Sequence, residues 1–281
     1  MLRIIPRLDI KGPNLVKGIH LEGLRVLGPP EEFAKFYCEQ LADEILLQDV
    51  VASLYDRNSI QHIITKIAKE VFIPITVGGG IRTLDNIKTI LRAGADKVSI
   101  NTAAINNPKL IRDASRSFGT STIVVAIEAI KQLDGRYLAY YDNGREQSSY
   151  EVNEWAKIVQ DYGAGEIILT SVDREGTGDG FDYDLINDVL KNVEIPVIVH
   201  GGAGSIEDVV QVLGNTKSDS IALGSILHYD LLDKMNADTK CSEEGNYTFL
   251  RSGVSKFHKI QSTDIITLKE KLKIEGYKVR L

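Results

Sequence analysis

Short apolar runs alternate with longer amphipathic stretches along the whole chain. Apolar runs of about four to eight residues are typical of buried strands, and the stretches between them are long enough for helices. Helices are predicted, for example, at 31–41, 84–93 and 151–162. The pattern predicts eight strands, which begin at Arg3, Glu44, Ile73, Lys97, Ile123, Glu166, Ile195 and Ser220. Eight strand-then-helix units favour a closed parallel (βα)8 barrel over an open doubly wound sheet.

The two halves of the chain resemble each other in order and spacing. The run that begins at Glu44 recurs 122 positions later, and so does the glycine run that ends the third predicted strand. Asp96 has a counterpart in Asp219, and Asp9 has one in Glu128. Echoes in a constant order indicate a duplicated unit, which an open sheet does not require. We therefore expect two similar half-barrels of four units each.

Length and composition fit one TIM barrel as a single domain. The chain has 281 residues, of which 43% are hydrophobic and 26% charged, so it can bury a large core. No apolar run approaches the roughly 18 residues of a membrane-spanning helix. We expect one barrel over 1–281, with half-barrels at about 1–120 and 121–281. An insertion at about 230–261 follows the eighth strand.

Charge and cysteine content limit the classes of ligand and the cellular compartment that we expect for this chain. A net charge of −6 with dispersed basic residues argues against nucleic acid, but leaves room for a local basic pocket that binds a phosphorylated metabolite. The N-terminus is interrupted by Pro6 and Asp9, so it does not resemble a signal peptide. Cys38 and Cys241 lie far apart, which fits a reducing cytoplasm. No cluster has metal-ligand spacing, so we expect neither metal nor cofactor.

Polar and glycine residues end most of the predicted strands. In a (βα)8 barrel these ends build the active site, whereas a single such residue can equally be a turn or a helix cap. Glycine lets the backbone approach a phosphate, and barrels often bind phosphate after strands seven and eight. A matching pair in each half predicts a ligand with a phosphate at each end. The candidate binding residues are Asp49, Gly79, Gly80, Asn101, Thr102, Thr170, Ser171, His200, Gly201, Gly202, Gly224 and Ser225.

Two carboxylates at strand ends and four charged residues at strand starts are further candidates in the predicted barrel. Asp9 and Glu128 end the first and fifth strands, on opposite sides of the mouth, and suit general acid and base work; ordinary salt bridging is the alternative. Charged residues also begin four strands, at the other end of the barrel. They are either scattered surface charges or an inward ring that could act as a gate. The four are Arg3, Glu44, Lys97 and Glu166.

Several stretches resemble one known family. They are Arg3 to Pro6 with Leu8-Asp9-Ile10, VFIPITVGGGIR from Val71, GADKVSINTAA from Gly94, GAGEIILTS from Gly163 with Asp173-Arg174, and the ending Val279-Arg280-Leu281. They resemble the cyclase subunit of imidazole glycerol phosphate synthase, the HisF family. The resemblance covers roughly 1–229 and 262–281.

The resemblance implies a concrete reaction. A separate glutaminase subunit supplies ammonia, which reacts with a bisphosphorylated ribulosyl aminoimidazole carboxamide ribotide to give imidazole glycerol phosphate. By motif match, Asp9 and Glu128 would be the acid/base pair, and Lys17 would order the first loop over the substrate. The four charged residues would form the ammonia gate, and Asp96 would lie where the glutaminase docks.

Three departures keep other functions open. Glu128 stands where the family normally has Asp, His200 replaces a small residue, and the insertion carries Lys256, His258 and Lys259. Paralogues with such departures resemble the cyclase but pass ammonia to a sugar-linked acceptor in surface-polysaccharide biosynthesis. A third possibility is a barrel without catalysis that only activates a glutaminase. The intact Asp9 and glycine pairs favour the cyclase.

Overall fold

The computed structural model describes residues 1–52, 60–234 and 259–281. Twelve strands lie within these segments: β1 (Arg3–Lys11), β2 (Asn14–Ile19), β3 (Glu22–Gly28), β4 (Ile45–Asp49), β5 (Ile75–Gly78), β6 (Lys97–Ile100), β7 (Ile123–Lys131), β8 (Tyr137–Tyr141), β9 (Glu146–Glu151), β10 (Glu166–Ser171), β11 (Val197–His200) and β12 (Ser220–Leu223).

Eight of these strands form a closed parallel barrel. Their order is β1-β4-β5-β6-β7-β10-β11-β12, and β12 pairs with β1 again. β7 pairs with β6 on one side and with β10 on the other, so the sheet has no open edge at that point. The predicted (βα)8 barrel is confirmed, and the open sheet is excluded. The eight strands begin within two residues of the predicted positions.

The helices lie between the barrel strands. Those of the described residues are α1 (Pro30–Glu39), α2 (Gln61–Ile67), α3 (Leu84–Ala93), α4 (Thr102–Asn106), α5 (Lys109–Phe118), α6 (Val152–Asp161), α7 (Tyr183–Asn192), α8 (Ile206–Asn215), α9 (Ser225–Lys234) and α10 (Ile265–Ile274). Each of the three helices predicted as examples is present, with ends that differ by at most two residues. Within the described segments, no helix is long and apolar enough to cross a bilayer.

Two antiparallel hairpins, which the sequence analysis did not predict, extend the barrel at its carboxyl end. Strands β2 and β3 continue from β1, and β8 and β9 continue from β7. β1 and β7 are the first strands of the two proposed halves, and at nine residues each they run beyond the other barrel strands. The hairpins therefore stand over the mouth of the barrel, where active sites of this fold lie.

The inside of the barrel is layered because side chains alternate along each strand. In β1, Ile4 and Leu8 pack outward against the helices, whereas Ile5 belongs to a separate apolar cluster inside the barrel. That inner cluster consists of Ile5, Leu46, Val124, Ile168, Ile198 and Ala222. It separates charged side chains at the strand starts from polar side chains at the strand ends. The two polar layers can thus have different tasks.

Corresponding positions in the two halves share local geometry. Thr83 and Ser205 each begin a helix with a reciprocal capping box. Gly79 and Gly201 both have positive φ, and a Cβ atom at either would lie within 2.6 Å of the carbonyl oxygen that ends the neighbouring strand. Glycine is required at both places for the same reason, namely close approach of two strand ends. These parallels agree with the predicted half-barrels, which stay a prediction.

Candidate active site

The two predicted acid/base residues lie at the same end of the barrel. Asp9 lies near the end of β1 and is 4% exposed, while Glu128 lies in the opposite strand β7 and is 6% exposed. Their charges interact, because ionised Asp9 raises the pKa of Glu128. The structure therefore places both carboxyl groups at one mouth of the barrel, close enough for their charges to interact.

The Glu128 carboxyl group titrates near neutral pH. Burial raises its pKa from 4.5 to about 7, although the positive charge of Arg7 and a hydrogen bond from the Gly144 N–H act in the opposite direction. The Gly144 bond is 2.7 Å long and comes from the turn between β8 and β9. A carboxyl group that is protonated about half of the time at neutral pH can donate or accept a proton.

Arg7, which the sequence analysis passed over, occupies the interior beside Asp9. Its Nε donates to Asp9 Oδ1 at 2.8 Å, and its Nη1 donates to Thr170 Oγ1 at 3.2 Å. The same Nη1 lies 3.1 Å from His200 Nδ1. Arg7 could have been found from the sequence, because side chains alternate along β1 and residues 3, 5, 7 and 9 therefore share one face of the strand.

His200 faces into the barrel as a neutral side chain. Burial lowers its pKa well below the ordinary value, and the charges of Arg7 and Lys17 lower it further. Because a guanidinium group can only donate, Nδ1 of His200 accepts from Arg7 and the proton of the neutral ring lies on Nε2. His200 thus offers one N–H donor beside the glycine pair of the second half.

The candidate phosphate residues of the first half line one cavity. It is bounded by Gly79, Gly80, Asn101 and Thr102, and Glu128 also lines it. The side chain of Asn101 donates to the Tyr140 carbonyl at 3.3 Å, but its Oδ1 is buried without a partner in the described segments.

Two further polar residues line the same cavity. Ser99, another residue that sequence reasoning missed, has a buried Oγ that also lacks a partner there. Unsatisfied buried polar atoms are costly, and a bound ligand would satisfy them. Asp49, in contrast, has partners, because its Oδ1 accepts hydrogen bonds from the backbone N–H groups of Val51 and Ala52.

Among the second-half candidates, Gly224 packs against Lys17. The Lys17 side chain is buried against Gly224, and a Cβ atom there would lie 3.4 Å from Lys17 Cε. Lys17 forms an ion pair with Glu175, a buried residue of the loop after β10 that the sequence analysis did not select. Ser225 begins α9 beside Gly224, and Ser171 Oγ is buried without a partner among the described residues.

Loop contacts hold the first hairpin over the mouth. Leu21, at the tip between β2 and β3, donates its N–H to Glu175 Oε2 at 3.2 Å. Its carbonyl accepts from Asn143 Nδ2 at 3.1 Å, and His20 N donates to the Glu175 carbonyl at 2.9 Å. The hairpin of one half therefore docks on loops of the other half.

The four charged residues at the strand starts form an inward ring. Lys97 Nζ lies 2.8 Å from Glu44 and 3.0 Å from Glu166, and Arg3 forms ion pairs with the same two carboxylates. Scattered surface charges, the alternative, do not describe this arrangement. Asp96 is exposed at the same end, where its carboxylate accepts a 2.8 Å bond from the Ile75 N–H.

Most of the candidate residues of the predicted insertion lie outside the described segments. Lys256, His258 and Cys241 lie outside the described residues. Lys259 is described, and its Nζ pairs with Asp179 on the second half.

A (βα)8 barrel that collects buried acids, an arginine and unsatisfied polar groups at the carboxyl ends of its strands has the architecture of an enzyme. Comparison with known proteins identifies the family. The model of the histidine biosynthesis protein family matches residues 3–233, which is most of the chain. The chain belongs to this family.

Three similar proteins are each described as imidazole glycerol phosphate synthase subunit HisF. The Legionella pneumophila protein is 54% identical over 207 residues, which cover 74% of this chain and 98% of that protein. A Lactococcus lactis protein is 50% identical, with 81% and 88% covered. A Methanococcus vannielii protein is 45% identical, with 81% and 91% covered.

Proposed function

We propose that this chain is the ammonia-dependent cyclase subunit of a glutamine-dependent imidazole glycerol phosphate synthase in histidine biosynthesis. Its substrates are ammonia and a bisphosphorylated ribulosyl aminoimidazole carboxamide ribotide. The observation that carries the proposal is a pair of buried carboxyl groups that face one mouth: Asp9 forms an ion pair with Arg7, and the pKa of Glu128 is raised to about 7. Membership of the histidine biosynthesis family agrees with it.

The two carboxyl groups fit the proton transfers that the chemistry needs. When ammonia adds to the ribulosyl carbonyl and the adduct loses water to form an imine, the oxygen gains two protons and the nitrogen loses two. Glu128, with a pKa of about 7, serves as the acid. Asp9 is held as a carboxylate by its ion pair with Arg7 and serves as the base. Ring closure and release of the ribotide reuse the same pair.

Both halves contribute to binding an elongated substrate. In the first half, Gly79, Gly80, Asn101 and Thr102 surround a cavity that Ser99 also lines, and the unpartnered Ser99 hydroxyl would donate to a phosphate. In the second half, Gly201, Gly202, Gly224 and Ser225 would bind the other phosphate, with Lys17 as the nearby cation. A substrate held at both ends would lie with its middle between the carboxyl groups.

A glutaminase partner, in a heterodimer, would deliver ammonia from the opposite end. The ring of Arg3, Glu44, Lys97 and Glu166 lies there, as does exposed Asp96. Phe72, just before β5, is 87% exposed at this end, and an exposed aromatic side chain is typical of a protein interface. Cys38 is a free thiol, which fits a cytoplasmic enzyme.

The assay uses the ribotide and ammonium salt without a glutaminase. We expect turnover in the wild type and its loss in Asp9→Asn, by about a hundredfold or more, because the base is removed. The matched control is Asp113→Asn on the exposed surface of α5, which should keep full activity. Loss of substrate absorbance measures the rate.

Other outcomes would contradict the cyclase. Tight binding of the ribotide without turnover would identify a scaffold that only activates a glutaminase. Neither binding nor turnover would favour the second candidate, transfer of ammonia to a sugar-linked acceptor in surface-polysaccharide biosynthesis. One observation favours that candidate: His200, which directly precedes Gly201, carries a large buried side chain in contact with Arg7 where the family has a small residue.

A further inference from the structure

The Arg7 side chain has three hydrogen-bonding partners in the barrel mouth. It lies in β1 between Ile5 of the inner apolar cluster and Asp9 at the rim, and it is 5% exposed. Its hydrogen bonds to described residues use Nε and Nη1, which reach Asp9, Thr170 and His200 on three different strands. A guanidinium group fixed on three strands has one orientation and little freedom.

The backbone of Arg7 is anchored separately. The Arg7 carbonyl accepts a 2.9 Å hydrogen bond from His228 Nε2, and Tyr37 donates its hydroxyl hydrogen to His228 Nδ1 at 2.6 Å. Both rings are fully buried, and burial lowers the pKa of His228 to about 3, so its ring stays neutral. Helices α1 and α9 thus fix the position of β1 at Arg7, independently of the side-chain contacts.

Burial of this charge is costly, and the surrounding acids explain how it is tolerated. Desolvation opposes the charged form of Arg7, but Asp9 in direct contact, then Glu175 and Glu128 at longer range, keep it protonated. A residue that only filled space here would not need a charge, because an apolar side chain of similar volume avoids the desolvation cost. The charge itself therefore has a use in the mouth.

We propose that Arg7 is a positioning residue that acts through both carboxyl groups. It holds Asp9 as an aimed carboxylate through the direct ion pair, and its field reaches Glu128 across the mouth. The proton-transfer consequence rests on the proposed function, whereas the effect on the two carboxyl groups does not. Arg7 itself forms no bond with the reacting atoms in this scheme.

The proposal predicts a change at Glu128 when the charge is removed. The charged groups that act on Glu128 are Arg7 and Asp9 of β1 and Asp142 of the turn between β8 and β9. Arg7 is the only one of these three that lowers the pKa of Glu128, since both acids raise it. Removal of the guanidinium should therefore raise the pKa of Glu128 above about 7.

The experiment compares Arg7→Met, Arg7→Gln and Arg7→Lys in the full chain. Carbon-13 NMR follows the carboxyl signal of Glu128, assigned with Glu128→Gln, as pH is varied without substrate. In both neutral variants we expect the Glu128 midpoint to rise by about 1 pH unit. Arg7→Lys should stay near the wild type because it keeps the charge. Arg116→Met, on the exposed surface of α5, controls for loss of an arginine.

Kinetics supply the second readout. With ammonium salt and the ribotide, the neutral variants should lose about a hundredfold in kcat with a smaller change in KM, because Asp9 loses the cation that pairs with it. The basic limb of their pH profile should move to higher pH together with the Glu128 midpoint. Arg7→Lys should recover about a tenth of wild-type kcat or more.

The outcomes separate the two proposals. An unchanged Glu128 midpoint in a folded neutral variant would overturn the role of Arg7, and so would equal kcat losses in Arg7→Met and Arg7→Lys. If Arg7→Met does not fold, Arg7→Gln, which can still donate to Asp9, supplies the same comparison. If the wild type does not turn over the ribotide, the proposed function fails while the substrate-free titration still tests Arg7.

Discussion

At the scale of single residues, the ionisable groups of the barrel mouth differ in pKa because their surroundings differ. Asp9 has a cation in direct contact, whereas Glu128 has a backbone N–H and a distant arginine, so burial dominates at Glu128. His200 and His228 are both neutral because they are buried beside cations. Two carboxyl groups of similar chemistry can therefore perform opposite proton transfers.

Glu128→Gln should change the pH dependence of stability. The folded-state pKa of Glu128, about 7, exceeds its ordinary value of 4.5, so this residue contributes stability below pH 4.5 that is lost as pH rises through 7. Glutamine has no such term. The free energy of unfolding of Glu128→Gln relative to wild type should rise by about 3 kcal/mol between pH 4.5 and 8. Urea unfolding across this range measures it.

The control is Glu146→Gln, an exposed glutamate of β9. Its free energy of unfolding relative to wild type should stay constant across the same range. A constant difference for Glu128→Gln as well would mean that Glu128 ionises freely in the folded protein, and its assignment as the acid would fail.

Sequence reasoning found the acids but missed their partners. The positions of Asp9, Glu128 and the glycine pairs at the mouth could be predicted, because residues at the carboxyl ends of barrel strands lie there. Arg7 lies inside the strand, and it could have been found only by carrying the alternation of β1 from Arg3 to Asp9. Ser99 and Glu175 matter through contacts with distant strands and loops, and spacing along the chain does not show such contacts.

At the scale of elements, the two hairpins decide what covers the mouth. The turn between β8 and β9 contains Asp142, Asn143 and Gly144, all with positive φ, and this sequence is a strong hairpin signal. That hairpin could have been predicted. The tip between β2 and β3 has His20 and Leu21 with positive φ, which non-glycine residues rarely adopt. Contacts with Glu175 and Asn143 hold that tip in place, so the local sequence alone does not predict this hairpin.

The buried ion pair between Lys17 and Glu175 should stabilise the first hairpin. Removal of one partner leaves the other charge buried, so Lys17→Met and Glu175→Gln should each destabilise the protein by about 3–5 kcal/mol. The double variant should lose less than the sum of the two, with a coupling of about 1–3 kcal/mol. Urea unfolding of all four proteins closes the cycle. The exposed pair of Lys35 and Glu70 is the control, and its two variants should be additive within the error of the measurement.

Strict additivity of Lys17→Met and Glu175→Gln would contradict this account. It would mean that the two charges do not depend on each other in solution, and that the hairpin is held by its backbone contacts alone.

At the scale of the whole molecule, the barrel separates two polar layers by an apolar one. Four residue steps, from Lys97 at the start of β6 to Asn101 just after its end, span about 13 Å at the usual rise of a strand. The apolar cluster around Ile5 lies between the charged ring and the acids. A small neutral molecule such as ammonia can cross an apolar layer, whereas a hydrated cation is excluded by the cost of desolvation. This order of layers suits delivery of ammonia from the ring side.

Lys97→Ala tests that order because the ring affects only ammonia that arrives through it. Burial lowers the pKa of Lys97, but its ion pairs with Glu44 and Glu166 outweigh burial and keep it charged. Without Lys97, the two carboxylates outnumber Arg3 and favour the ammonium ion over ammonia. With a glutaminase present, glutamine-driven turnover should fall about tenfold, or about 1.4 kcal/mol at the transfer step, while ammonium-driven turnover stays unchanged. Lys88→Ala, on the exposed surface of α3, should change neither rate. An equal fall in both rates would place the effect of Lys97 on folding or chemistry instead of on transfer, and the ring would then be no gate.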